Sequence, residues 1–270
     1  MKLLHFSDIH AGCVPKGCSW MFDKRLLGTM SHFLRRRVRQ HFEVMESLMS
    51  VVQENRPDWI ICTGDLTAVS APQEFDDAIR LLMPLREAVN GRFIYLPGNH
   101  DAYIDNANAT KALSRAKTAL NGMSAAECHL ALERRIGNVR LFFVDGACPM
   151  PPWRSAGHLT DELLEMLKKL LEEKRKPAEI RLMVSHFPIY AQDGGRFSWR
   201  RRLDGDLLLR DFAEKGLVDG MLCGHIHFPY KYEVGRFKQI CAGAATLSRS
   251  AVLIKTAESS CSISAKFLKL

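Results

Sequence analysis

The sequence predicts a layered α/β fold with its helices on the outside, and three observations carry that expectation. Six short apolar runs are near-continuous rather than alternating, as in strands covered on both faces. Amphipathic stretches with helical spacing lie between them. Beyond residue 228, short strand-like pieces separated by Gly, Ser and Thr add a β-rich end at about 228–270. With 270 residues, 47% of them hydrophobic, the chain can bury a substantial core. No repeat, low-complexity tract or Pro/Gly/Ser-rich linker divides it, so a single domain over 1–270 is expected.

The expected strands are LLHF (3–6), WIIC (59–62), FIYL (93–96), RLFFV (140–144), RLMVS (181–185) and GMLC (220–223). Phe42, Met45, Leu48, Met49 and Val52 recur at helical spacing, and 74–89 repeats the pattern. A third helix over 159–174 starts at Thr160, a capping residue, with Asp161 and Glu162 in a first turn where negative charge complements the helix dipole. From Tyr230 onward, YKYEV, FKQICA, AVLIKT and CSISAKF read as antiparallel hairpins that finish the sheets.

Composition narrows the class. Met1 to Leu4 runs straight into His5, Ser7, Asp8 and His10, without a charged start and apolar leader, and no apolar stretch has the length of a membrane span, so a cytoplasmic protein is expected. Of the eight cysteines, Cys62, Cys223 and Cys241 sit inside apolar runs and read as buried thiols, while Cys13 and Cys18 lack a second pair at zinc-site spacing. The net charge of +8 favours an anionic partner. That charge is concentrated: between Lys16 and His41 the only acid is Asp23, against Lys16, Lys24, Arg25, Arg35, Arg36, Arg37 and Arg39.

Five of the strand-like runs end in residues that can bind a metal. LLHFSDIH ends in Asp8 and His10, WIICTGD in Asp65, FIYLPGNHD in Asn99 and His100, RLMVSH in His186, and GMLCGHIH in His225 and His227. Ligands of open α/β sheets bind at the carboxyl ends of strands, so a sheet that gathers these ends converges carboxylates, a carboxamide and imidazoles on one point. In DIH and HIH, positions i and i+2 of an extended segment point the same way and reach a common centre, leaving Ile9 and Ile226 to pack apolar surface. Gly64, Gly98 and Gly224 precede Asp65, Asn99 and His225, where the chain must turn tightly or approach a ligand closely. One histidine after a strand is more often a hydrogen-bonded structural residue; the whole ordered set is what points to metal. So many donors exceed the needs of one ion and suit two ions sharing a bridging carboxylate, with Mn²⁺, Fe²⁺ and Zn²⁺ all compatible with these nitrogen and oxygen donors.

The ordered set DIH, GD, GNHD, His186 and GHIH, from residue 8 to residue 227, resembles the calcineurin-like metallophosphoesterases. That resemblance implies a four-layer αββα sandwich, two mixed sheets flanked by helices, with a binuclear site. It implies that Asp8, His10 and His227 hold one ion, that Asn99, His186 and His225 hold the other, and that Asp65 bridges them. It also implies that His100 sits over the phosphate as a catalytic group rather than a ligand, with Asp101 as its neighbour. The expected activity is metal-dependent cleavage of a phosphodiester or pyrophosphate bond, His100 serving the leaving oxygen as a proton donor or a positive partner.

Two basic, aromatic-containing segments suggest the substrate. One is the insertion at about 11–41, with Trp20, Phe22 and Phe33 among its cations; the other is GGRFSWRRRLDGD after His186. Arg25, Arg35, Arg36, Arg196 and Arg200 are the substrate-binding candidates. Apolar residues mixed with Lys and Arg suit an anionic amphiphile at a membrane surface, although charge runs also face water with no ligand role and also attract nucleic acid. Segment 22–41 is similar to the insertion of calcineurin-like hydrolases that cleave UDP-2,3-diacylglucosamine in lipid A synthesis, which implies pyrophosphate cleavage by a cytoplasmic protein peripheral to the inner face of a membrane. The competing expectations are a soluble cyclic-nucleotide phosphodiesterase, a nuclease, and a non-catalytic metal-bound scaffold.

Overall fold

A computed structural model describes residues 1–11, 24–26, 39–124, 127, 132–257 and 262–270, with only the backbone of 39–42. Most of the insertion, including Arg35 and Arg36, and also Cys13 and Cys18, therefore lies outside the described residues. In chain order the strands are β1 (Lys2–Phe6), β2 (Trp59–Cys62), β3 (Phe93–Tyr95), β4 (Glu133–Ile136), β5 (Val139–Phe143), β6 (Gly157–His158), β7 (Ile180–Val184), β8 (Leu203–Asp204), β9 (Gly220–Cys223), β10 (Tyr230–Val234), β11 (Phe237–Cys241), β12 (Ser250–Ala257) and β13 (Ser262–Lys269). The helices are α1 (Arg39–Asn55), α2 (Pro72–Ala88), α3 (Ala107–Asn121), α4 (Asp161–Glu172) and α5 (Asp206–Glu214).

One sheet has the order β13-β12-β1-β2-β3 and the other β10-β11-β9-β7-β5-β4; β6 and β8 form a separate parallel pair. Both large sheets are mixed, with β1, β2 and β3 parallel in the first and β5, β7, β9 and β11 parallel in the second. Neighbouring residues on one strand face different layers. Leu4, Ile60 and Phe93 pack with Val44, Leu48, Phe75, Leu82 and Leu120 of α1 to α3, whereas Leu3, Ile61 and Ile94 pack against Leu141, Leu182 and Leu222 of the other sheet. Phe142, Met183 and Met221 then turn outward onto Leu167 and Leu171 of α4 and Phe212 of α5. Three apolar seams stacked in this way make the αββα sandwich, and they explain why the central strands read as continuous apolar runs.

Thr160 caps α4, its hydroxyl accepting from Leu163 N at 3.3 Å. The spacing of apolar residues does not announce α3, because its buried stripe is Ala109, Ala112, Ala116 and Leu120, which adds little hydrophobic contrast. Its last residue serves the sheet: Asn121 accepts from Tyr95 N at 2.8 Å and donates to Tyr95 O at 3.1 Å, satisfying an edge of β3. The C-terminal pieces do form antiparallel hairpins, β10 with β11 and β12 with β13. They part company, however, each extending a different sheet, and β11 joins β9 in parallel. Two arginines are buried in β5 and β7. Arg181 donates to Leu171 O at 2.6 Å and to Glu173 O at 2.7 Å, so its cation closes the carboxyl end of α4.

Candidate metal centre

All five donor-bearing loops leave the carboxyl ends of parallel strands: β1 delivers Asp8 and His10, β2 Asp65, β3 Asn99 and His100, β7 His186, and β9 His225 and His227. Asp8, His10, Asp65 and His227 present ligand atoms that all lie within 4.8 Å of one another. Nε2 of His227 is 3.1 Å from Asp8 Oδ1, and Nε2 of His10 is 3.6 Å from the same oxygen and 3.7 Å from Asp65 Oδ2. A second set faces the other side of Asp65. His186 Nε2 stands 3.4 Å from Asp65 Oδ2 and 3.1 Å from Asn99 Oδ1, which is itself 2.9 Å from His225 Nδ1. Asp65 Oδ2 thus belongs to both sets.

The ring orientations explain what these atoms face. His10 Nδ1 is 3.0 Å from Thr67 O, His186 Nδ1 is 2.6 Å from Thr63 O, and His225 Nε2 is 3.1 Å from Arg201 O. A carbonyl only accepts, so each of these ring atoms carries the hydrogen, and in the neutral ring the other nitrogen points a lone pair into the site. There it meets further acceptors, and Asp8 Oδ1 and Asp65 Oδ2 are buried without an aligned hydrogen-bond donor. A cluster of inward lone pairs and orphaned carboxylate oxygens fits divalent cations, and nitrogen and oxygen donors without thiolate suit Mn²⁺, Fe²⁺ and Zn²⁺ alike.

Charge in the site follows the same logic. Burial opposes a proton on His186, yet the carboxylates of Asp65 and Asp8 lift its pKa to about 10. Burial, then the neighbouring His186 charge, pushes His225 down to about 3. Asp65 is held well below the usual carboxylate range by the imidazoles around it, although burial alone would raise it. One site therefore holds a charged and a neutral imidazole side by side, with ring centroids 5.1 Å apart.

The backbone does not deliver these donors as extended pairs. Asp8, His10, Asp65, His225 and His227 all have positive φ, between 45° and 71°, so left-handed turns rather than the period of a strand aim them. His225 and His227 consequently diverge, the first toward Asn99 and the second toward Asp8. Ile9 is buried and Ile226 packs on Cys223 and Tyr230. Asp101 also differs from expectation. It accepts from Thr67 N (2.9 Å), Gly98 N (3.0 Å) and the Tyr95 hydroxyl (2.9 Å), bracing the turn, whereas His100 Nδ1 is 2.5 Å from Ala68 O. Buried Glu74, which the motif pattern misses, accepts from Ala68, Val69 and Ala71 N and holds the loop that supplies the carbonyls for His10 and His100.

The sequence matches the calcineurin-like phosphoesterases over residues 1–229. The chain belongs to that family. Among solved structures it is similar to a dimetal phosphatase from Danio rerio, with a TM-score of 0.67, 14% identity, and 99% of this chain and 98% of that one covered. It is also similar to a phosphopantetheinyl hydrolase from Mycobacterium tuberculosis (TM-score 0.52, 15% identity, 90% and 89% covered) and to a Thermus thermophilus sulfate thiohydrolase (0.52, 14%, 99% and 56%). No curated protein matches the sequence. At such identities the likeness is one of fold, and the fold carries more than one chemistry.

The rim of this phosphoesterase sorts the arginine candidates. Arg196 is engaged by buried Asp206 through contacts of 2.9 and 2.6 Å and braces the start of α5. Arg200 lies 5.5 Å from the Trp199 ring centroid and Arg154 lies 5.6 Å from it. Arg25 is half-buried in the short described stretch of the insertion. A cavity of about 390 Å³, lined by Ile94, Leu96, Phe143, Leu163 and Met166, includes none of the donors of the two sets. No helix among the described residues is long and apolar enough to cross a membrane.

Proposed function

We propose that this phosphoesterase is a binuclear-metal hydrolase that cleaves a phosphodiester or pyrophosphate bond in an anionic amphiphile, a nucleotide-lipid such as UDP-2,3-diacylglucosamine being the favoured substrate. The observation that supports it is the pair of donor sets sharing Asp65 Oδ2. Divalent cations in those sets would supply Lewis-acid charge to phosphate oxygens and lower the pKa of a water. Asp8, His10, Asp65 and His227 would hold one ion; Asp65, Asn99, His186 and His225 would hold the other. The Thr63, Thr67 and Arg201 carbonyls fix the imidazoles so that no reorientation is needed on binding. His100, its Nδ1 hydrogen committed to Ala68 O, would act from the imidazolium form, giving the Nε2 proton to the leaving oxygen and becoming neutral.

The amphiphile is supported by the rim. His225 Nε2 donates to the carbonyl of Arg201, so the 196–202 segment borders the centre, and Trp199 (49% exposed) stands there between guanidinium groups. Phe228 follows His227, and Leu247 follows Thr246, whose hydroxyl donates to Asp8 O; both are exposed. Cations with exposed aromatic and aliphatic side chains suit a phosphate with an apolar appendage presented at the inner face of a membrane to a cytoplasmic, peripheral enzyme.

The test uses the Mn²⁺-loaded protein with bis(p-nitrophenyl) phosphate, a cyclic nucleotide and a UDP-lipid. A kcat/KM at least about tenfold higher on the UDP-lipid is expected, a discrimination worth about 1.4 kcal/mol. Rates within tenfold on all three would defeat the lipid assignment, and no turnover on any of them, with metal bound and His100→Ala behaving as the parent protein does, would favour a non-catalytic metal-bound scaffold. Proton competition gives a further prediction. With the His186 pKa raised to about 10, the metal-free site is protonated at neutral pH, so an ion entering the second set must release that proton. Affinity for Mn²⁺ is expected to rise with pH, by up to about tenfold per unit, in titration calorimetry across buffers of different ionisation enthalpy. Binding without proton release would exclude His186 as a ligand.

A further inference from the structure

We propose that Tyr103 is a positioning residue for His100, its ring the wall against which the catalytic imidazole is held. The inference rests on the role given to His100 above. The two rings are stacked, with centroids 5.4 Å apart and planes 8° from parallel. His10 meets His100 edge to face at 5.0 Å, and Ala68 O takes Nδ1 at 2.5 Å. Torsion of an imidazole about its last bond is soft, so one hydrogen bond leaves the ring free to swing about that contact; a flat surface removes the remaining freedom.

Tyr103 is itself placed for this task. It packs on Ala68, Val69 and Ala71, the loop whose carbonyl holds Nδ1, so wall and hydrogen bond move as one body. On the other side it is tied to the insertion: its hydroxyl donates to Lys24 O at 3.4 Å, and Lys24 Nζ lies 4.1 Å from its ring centroid and donates to Met150 O at 2.5 Å. A cation over the ring and a partner for the hydroxyl fix the tyrosine before substrate arrives. The device connects the segment expected to meet substrate with the group that serves the leaving oxygen.

The test compares p-nitrophenyl and phenyl esters of one phosphodiester, because a poor leaving group needs the proton and a good one does not. In the Mn²⁺-loaded enzyme, Tyr103→Leu is expected to lower kcat on the phenyl ester about tenfold, with KM within about twofold and metal content unchanged. On the p-nitrophenyl ester the loss should stay under about threefold, and Tyr103→Phe, which keeps the stack, should restore the phenyl rate. Equal losses on both esters, or a Tyr103→Phe variant as impaired as Tyr103→Leu, would overturn the proposal. His100→Ala run alongside separates the two ideas. If it shows the same leaving-group dependence, more strongly, while Tyr103→Leu shows none, the positioning role alone fails. If His100→Ala shows no such dependence, both roles fall together.

Discussion

Asp65→Asn is expected to lower kcat/KM by about a thousandfold, the loss of roughly 4 kcal/mol of transition-state stabilisation, and to lower the melting temperature of the metal-free protein at neutral pH, where the carboxylate pairs with the His186 imidazolium. The two halves of that result have one cause. Asp65 Oδ1 accepts from His100 N at 2.8 Å, and Oδ2 is buried against His10 and His186 without an aligned donor. An asparagine of the same shape keeps the first contact but cannot pair as an anion with the His186 imidazolium. It removes the negative charge that both donor sets share. Metal analysis of purified protein should therefore show both ions weakened in Asp65→Asn, but only one in Asn99→Ala, since Asn99 Oδ1 meets His186 and His225 of the second set. Thermal melts in chelator test the other half. An Asp65→Asn protein that binds its full metal complement and turns over normally would remove the bridging role and with it the two-ion centre.

The candidate donors were legible in the chain because metal chemistry restricts residue type. Asp8, His10, Asp65, Asn99, His186, His225 and His227 have few substitutes as ligands, and burial on both faces made the strands that carry them continuous apolar runs. What stayed hidden relies on groups that every residue possesses. The carbonyls of Thr63, Thr67, Ala68 and Arg201 orient the imidazoles, and a carbonyl leaves no mark in sequence. The left-handed backbone at five candidate donors was equally silent, because tertiary contacts rather than residue type impose it. Arg196 was legible only as one cation of a basic run, because its pairing with Asp206 depends on where α5 begins, and the short α5 gives a weak signal. The alanine stripe of α3 escaped for want of contrast, although Asn106 and Gly122 mark its ends as cap residues do.

Gly98→Ala is the second large effect, and it tests how the donor loops are nested rather than which atoms they present. A Cβ at residue 98 would sit 2.2 Å from Asp65 Oδ1, 2.7 Å from Asp65 N and 2.8 Å from His186 Cε1. None of these can yield cheaply. The backbone of Asp65 is pinned by His10 N donating to its carbonyl at 2.9 Å, while Gly98 N donates to Asp101 at 3.0 Å on the same turn. His186 is fixed by its bond to Thr63 O. Relief must come from moving the Asn99 turn away from Asp65, which separates the second donor set from the shared carboxylate. A displacement of about 1 Å in such a site costs on the order of a hundredfold in rate, and overpacking of this kind costs about 1–3 kcal/mol of stability. The variant is therefore expected to fold with a lowered melting temperature, to lose the second ion first, and to fall at least a hundredfold in kcat/KM. Full activity with two ions bound would mean that the β2 and β3 loops do not cross within contact of one another, and that Gly98 serves only the turn.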